Sequence, residues 1–137
     1  MARTRRMIVL GLLVMSWNPL WAADFLSMSG EELYRRFCAA CHGIEGRGDG
    51  PVASYFTVEV PDLTLIARRA RGTFPRERVA RIIDGRHIIG AHGTRTMPVW
   101  GEDFTRAELG NPDADEATEL LIERLVEYVS QIQRPAL

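Results

Sequence analysis

The sequence predicts an all-α domain of about four helices, joined by two long loops. Three observations carry that expectation. Apolar residues recur at helical spacing in separate segments, and no segment shows sustained alternation. Helix-starting and helix-stopping residues bracket those segments. Composition is that of an ordinary globular protein, 46% hydrophobic and 26% charged over 137 residues, a length that suits one domain and one core. The formal net charge is −1, every basic residue is arginine, and a general nucleic-acid binder is not expected.

The N-terminus reads as an export signal. Arg3, Arg5 and Arg6 form a positive start, Met7 to Trp17 is an apolar run of 11, Asn18 and Pro19 break it, and Ala22 and Ala23 offer a small-residue cleavage region. A membrane span needs about 20 apolar residues, so the run is short for a retained anchor. The expected layout is a signal over residues 1–23 and a single domain over 24–137. The cut site is blurred, because its −3 position would be Leu20 or Trp21. Residues 24–137 hold 14 arginines against 18 acids, net −4. The expected location is the periplasm, with membrane attachment only if the leading segment is retained.

The helices follow in order. Ser29-Gly30-Glu31-Glu32 has the form of a capping box, and Leu33, Tyr34 and Phe37 recur behind it, so a first helix runs to about Cys41, before Gly43. "GIEGRGDGPVA" is a loop. "PDLTLIARRA" reads as a short second helix after Pro61, closed by Gly72. Thr73 can cap a third helix over Pro75 to Asp84, with Val79, Ile82 and Ile83 inward and Gly85 ending it. Residues 86–112, with four glycines and two prolines, read as the second loop. The last helix runs from Asp115 to Gln133, amphipathic and acidic in its first turn. Loops of that length in so small a domain point to something large and apolar filling the middle.

The segment "FCAACHG" holds the chain's only cysteines, Cys38 and Cys41, followed by His42. A disulfide between them would close a tiny loop and leave His42 without a reason. A redox pair expects a βαβ context, which the pattern lacks. Zinc would need His87 and His92, but 45 residues separate Cys41 from His87, far beyond the usual spacing of about 12–15. A haem explains all three residues. Positions i, i+3 and i+4 share a helix face, two thiols can add to the two vinyl groups of one haem, and the imidazole can reach its iron.

With those residues in place the chain resembles a class I c-type cytochrome, a small bacterial monohaem cytochrome c. Gly30-x3-Tyr34-x3-Cys38 is similar to that family's first helix, and Leu125-x2-Tyr128-Val129 to the face of its last helix, where the two pack together. The resemblance covers about residues 28–132 and implies the class I cytochrome c fold. It implies one covalent haem c, linked through Cys38 and Cys41, with His42 as the proximal iron ligand. It also implies that the carbonyl of Pro51, nine residues after His42, accepts a hydrogen bond from the other ring nitrogen and so fixes the tautomer. Met97, 55 residues past His42 in "HGTRTMPVWG", resembles the distal ligand. Beyond the signal the chain offers only Met28 besides it, too near the first helix to cross to the other face. His92 and then His87 are its competitors. Trp100 is expected at the haem edge or against a propionate.

A haem capped on both faces has no open site for substrate. The expected function is periplasmic electron transfer, cycling Fe(III)/Fe(II) between donor and acceptor redox proteins, rather than enzymatic catalysis. The alternatives are a haem subunit of a periplasmic dehydrogenase or oxidase complex, and a gas-binding haem sensor. Charge is polarised along the chain: net −3 over residues 24–61, +5 over 62–95 and −6 over 96–137. Arg68, Arg69, Arg76, Arg78 and Arg81 are therefore expected either to steer an acidic partner or simply to solvate two short helices.

Overall fold

A computed structural model describes residues 25–86, 97–108 and 111–135. The export segment, His87 and His92 lie outside the described residues. The described residues are helical, with no strand among them, as the periodicity predicts. Helices α1 (Gly30–Phe37) and α2 (Ala39–His42) come first, then α3 (Ile66–Arg69), α4 (Arg76–Asp84), α5 (Trp100–Ala107) and α6 (Ala114–Gln131). Short 3-10 turns cover Phe25–Ser27, Ala53–Tyr55 and Leu63–Leu65. No helix of the described residues is long and apolar enough to cross a membrane.

α1 starts where the capping box places it. The Ser29 backbone donates to Glu32 Oε2 at 2.7 Å, and the Glu32 backbone donates to Ser29 Oγ at 3.3 Å. The expected first helix breaks at Cys38, whose φ of −113° and ψ of −36° end α1 and begin α2. The break is slight, since His42 N still donates to the Cys38 carbonyl at 2.9 Å. The i, i+4 relation of the two residues therefore survives.

α1 crosses α6 at the centre of the molecule. Leu33, Tyr34, Leu121, Leu125 and Val126 are fully buried there. A Cβ on Gly30 would strike the Arg124 carbonyl and sit 3.1 Å from Tyr128 Cβ, so glycine is what lets the backbones close. The Tyr34 and Tyr128 rings pack with centroids 5.0 Å apart, and Tyr34 donates to the Gly43 carbonyl at 2.7 Å. From α6, Arg124 donates to the carbonyls of Leu26 and Met28, fastening the segment before α1 to the last helix. Gln133 receives the Ala67 amide at 2.9 Å and donates to the Leu63 carbonyl at 2.7 Å, tying α3 to the same helix.

Two expectations need correction. α4 begins at Arg76 with Pro75 at its N-cap position, and Thr73 does not cap it; Gly85 does end it, with φ of 70°. The expected loop over 86–112 contains α5. Phe104 on that helix is buried and stacks with Trp100 at 6.2 Å between centroids, while Phe37 meets Phe104 at 5.2 Å and Trp100 at 5.3 Å. Those aromatic contacts stabilise a helix whose own sequence carries the glycine Gly101.

Candidate haem cavity

Between α1–α2, α3, α4 and α6 lies a cavity of about 400 Å³. Cys38 and His42, one helical turn apart, line it together with Met97, 55 residues further along the chain. Most of the remaining wall is aliphatic: Leu63 and Ile66 from one side, Val79, Ile82 and Ile83 from α4, Leu125 and Val129 from α6. The 3.6-residue period of α4 places Val79, Ile82 and Ile83 on one face. Ile82 remains 47% exposed, an isoleucine facing a space that no protein side chain fills.

Each functional side chain has a local reason for its state. His42 is buried, with a relative exposure of 9%. Its Nδ1–H donates to the Pro61 carbonyl at 3.1 Å, which leaves Nε2 with its lone pair. Burial pushes the pKa of His42 down, opposed by the Pro61 bond, so the imidazole is held toward the neutral form that binds metal. Burial, with a contribution from Cys41, pushes the Cys38 thiol up to about 12. Cys38 is thus a protonated thiol, able to add as S–H across an alkene. Cys41 is half-buried outside the lining residues, and both cysteines are free thiols.

The acceptor for His42 is Pro61, not Pro51 as the resemblance implies. The cause is the path of the glycine-rich loop. Gly50 N donates to the Cys41 carbonyl and Val52 N to the Ala40 carbonyl, each at 3.1 Å, so the chain folds back onto α2 at this point. A Cβ at Gly50 would collide with the Ala40 and Cys41 backbones. Pro51 is left exposed, and the loop returns to the imidazole ten residues later. Asp62 then caps the next turn, accepting from the Thr64 amide at 2.8 Å, which holds Pro61 in register.

Trp100 does not line the cavity; it belongs to the aromatic cluster of Phe37 and Phe104. Two lining residues that the sequence reading left out of the site are Arg69 and Arg78, at the edge of the aliphatic wall. Their signal in the sequence was only membership of an arginine-rich stretch.

The fit to a haem is chemical. The cavity presents a protonated thiol, a neutral imidazole with a bare nitrogen and a soft thioether, set in an aliphatic wall that suits a large planar apolar group. Residues 26–111 match the family model described as "Cytochrome C oxidase, cbb3-type, subunit III". No curated protein and no solved structure matches the chain.

Proposed function

The chain belongs to the family of cytochrome c oxidase, cbb3-type, subunit III, a family of c-type cytochrome domains with covalently bound haem c, and on that premise we propose that it is a periplasmic electron-transfer protein. The observation that carries this reading is the convergence of Cys38, His42 and Met97 on one aliphatic cavity. Haem c supplies an Fe(III)/Fe(II) couple. Cys38 and Cys41 would hold the group through thioethers, each thiol adding its S–H across one vinyl. His42 offers Nε2 to the iron while Pro61 keeps the proton on Nδ1 and raises the basicity of the ring. Met97 offers its thioether sulfur, a soft donor that favours Fe(II) and raises the potential. The aliphatic walls from α4 and α6 exclude water, which favours the state of lower charge.

With His42 and Met97 both engaged, the protein would exchange electrons with donor and acceptor redox proteins and would leave no open position for substrate. The family description favours a second reading, in which the domain serves within or beside an oxidase complex. Co-purification with a terminal oxidase from solubilised membranes separates the two. Met97→Ala tests the ligand assignment. The variant should keep its haem, lose the sulfur-to-iron charge-transfer band of the oxidised protein, show a lower potential and bind carbon monoxide. An unchanged band and potential would move the sixth position elsewhere, with His92 first in line.

A further inference from the structure

The cavity wall is aliphatic except at one edge. The charged side chains among its described lining residues are Arg69 on α3 and Arg78 on α4. A haem carries its vinyl groups on one edge of the ring and two propionate carboxylates on another. Thioethers at Cys38 and Cys41 commit the vinyl edge to the α1–α2 side. The carboxylates must then leave the wall elsewhere, and an ionised carboxylate against an aliphatic surface is costly unless a cation meets it.

The two arginines are prepared for that role in different ways. Arg69 is held in place: its Nη1 donates to the Asp62 carbonyl at 2.9 Å, which leaves further donors of its planar fork for a carboxylate. The preceding carbonyl, that of Pro61, receives the His42 proton. One dipeptide therefore positions both an imidazole and a guanidinium on the same cavity. Arg78 has no hydrogen-bond or ion-pair partner among the described residues, whereas Arg76, two positions earlier, takes both Glu123 and Glu127. Glu123 and Glu127 of α6 are thus taken by Arg76, and Arg78 stays exposed among the cavity-lining residues.

We propose that Arg69 and Arg78 are the carboxylate-binding rim of this cavity, receiving the two haem propionates and fixing the orientation of the ring. The inference rests on the haem reading above and goes beyond it to the group's anionic edge. A guanidinium at this rim would also offset carboxylate charge, which favours Fe(II).

The test uses haem-loaded protein, so a chain without covalent haem would contradict the underlying reading rather than this inference. Arg69→Gln, Arg78→Gln and the double variant would be compared by resonance Raman spectroscopy of the propionate bending mode and by redox titration, with Arg78→Lys as a charge-preserving variant. Arg71→Gln controls for net charge, since Arg71 is exposed and does not line the cavity. The expected result is a shifted propionate mode in each Gln variant. The Fe(III)/Fe(II) ratio at fixed poise should move several-fold toward Fe(III), where tenfold corresponds to about 59 mV for one electron. Arg78→Lys should recover most of the potential, and Arg71→Gln should change neither readout. If the double variant loads poorly, the single variants decide. An unmoved propionate mode in both single variants, or a potential shift equalled by Arg71→Gln, would overturn the proposal.

Discussion

At the α1–α6 crossing, Leu33, Tyr34 and Leu125 are wholly buried and Gly30 brings backbone against backbone. On the flank of the same α6 that faces α3 and α4, Leu125 and Val129 border a cavity of about 400 Å³, and Ile82 across it stays 47% exposed. Both regions are built from the same aliphatic residues. They differ in what closes them: the crossing is closed by protein side chains, whereas the flank borders a cavity, which we propose haem fills. An unfilled cavity costs about 24 cal/mol per Å³. Over this volume the upper bound is about 10 kcal/mol, as large as the whole stability of a typical domain. On the proposed reading, haem would complete this flank, and thioether links at Cys38 and Cys41 would make that completion permanent.

The largest test of the contrast is removal of the linkage. Cys38→Ala with Cys41→Ala should give a chain whose α3 and α4 amides lose hydrogen-exchange protection, while α1 and α6 keep residual protection. Equal protection of α4 in loaded and unloaded protein would show that the flank closes without haem.

Next comes the crossing itself. In loaded protein Leu125→Ala should destabilise by about 2–5 kcal/mol and Gly30→Ala by about 1–3 kcal/mol, read from chemical denaturation. A neutral Gly30→Ala would mean that the helices have room to separate.

A smaller effect distinguishes the surfaces. Arg76 is paired with Glu123 and Glu127, and Arg86 with Asp84 and Asp115, so the free basic charge of the α3–α4 flank rests on exposed residues such as Arg68 and Arg81. If that flank steers an acidic redox partner, the second-order electron-transfer rate should fall as salt rises, because screening reaches about 10 Å at 0.1 M. Arg68→Gln with Arg81→Gln should flatten the dependence. A rate indifferent to salt would leave these arginines as a solvated face.

The smallest effect lies at the start of α1. Hydrogen bonds from the Ser29 backbone and side chain hold the Glu32 carboxyl below its ordinary range. A depressed folded-state value means the contribution is present above the unfolded pKa and is lost as pH falls through the folded one. Glu32→Ala should therefore be less stable than the parent at neutral pH, with the gap closing in acid. A gap independent of pH would mean that the cap acts through packing rather than charge.

How far the sequence could be read follows from the same contrast. The capping box at Ser29, the glycine–tyrosine face of α1 and the Cys-x2-Cys-His pentapeptide are local patterns, and the structure keeps the spacing they encode despite the break at Cys38. α5 has no strong local signature because its stability comes from Phe37 packing across space on Trp100 and Phe104, although Trp100 and Phe104 at i, i+4, acids in the first turn and Arg106 in the last were visible. Pro61 was missed for a related reason. Choosing it over Pro51 requires knowing that Gly50 folds onto α2, a matter of loop path that residue counting does not contain. Arg69 and Arg78 come together at the cavity only through the packing of α3 and α4 around it, so their pairing has no local signature.

The central claim is that this cavity holds one haem bound covalently through Cys38 and Cys41. Mass spectrometry of acid–acetone-extracted, protease-digested protein from a host that matures c-type cytochromes tests it most directly. The peptide spanning Cys38 to His42 should carry one haem on both cysteines, and the pigment should stay with the protein. A peptide with two unmodified cysteines, or a pigment that extracts freely, would contradict it.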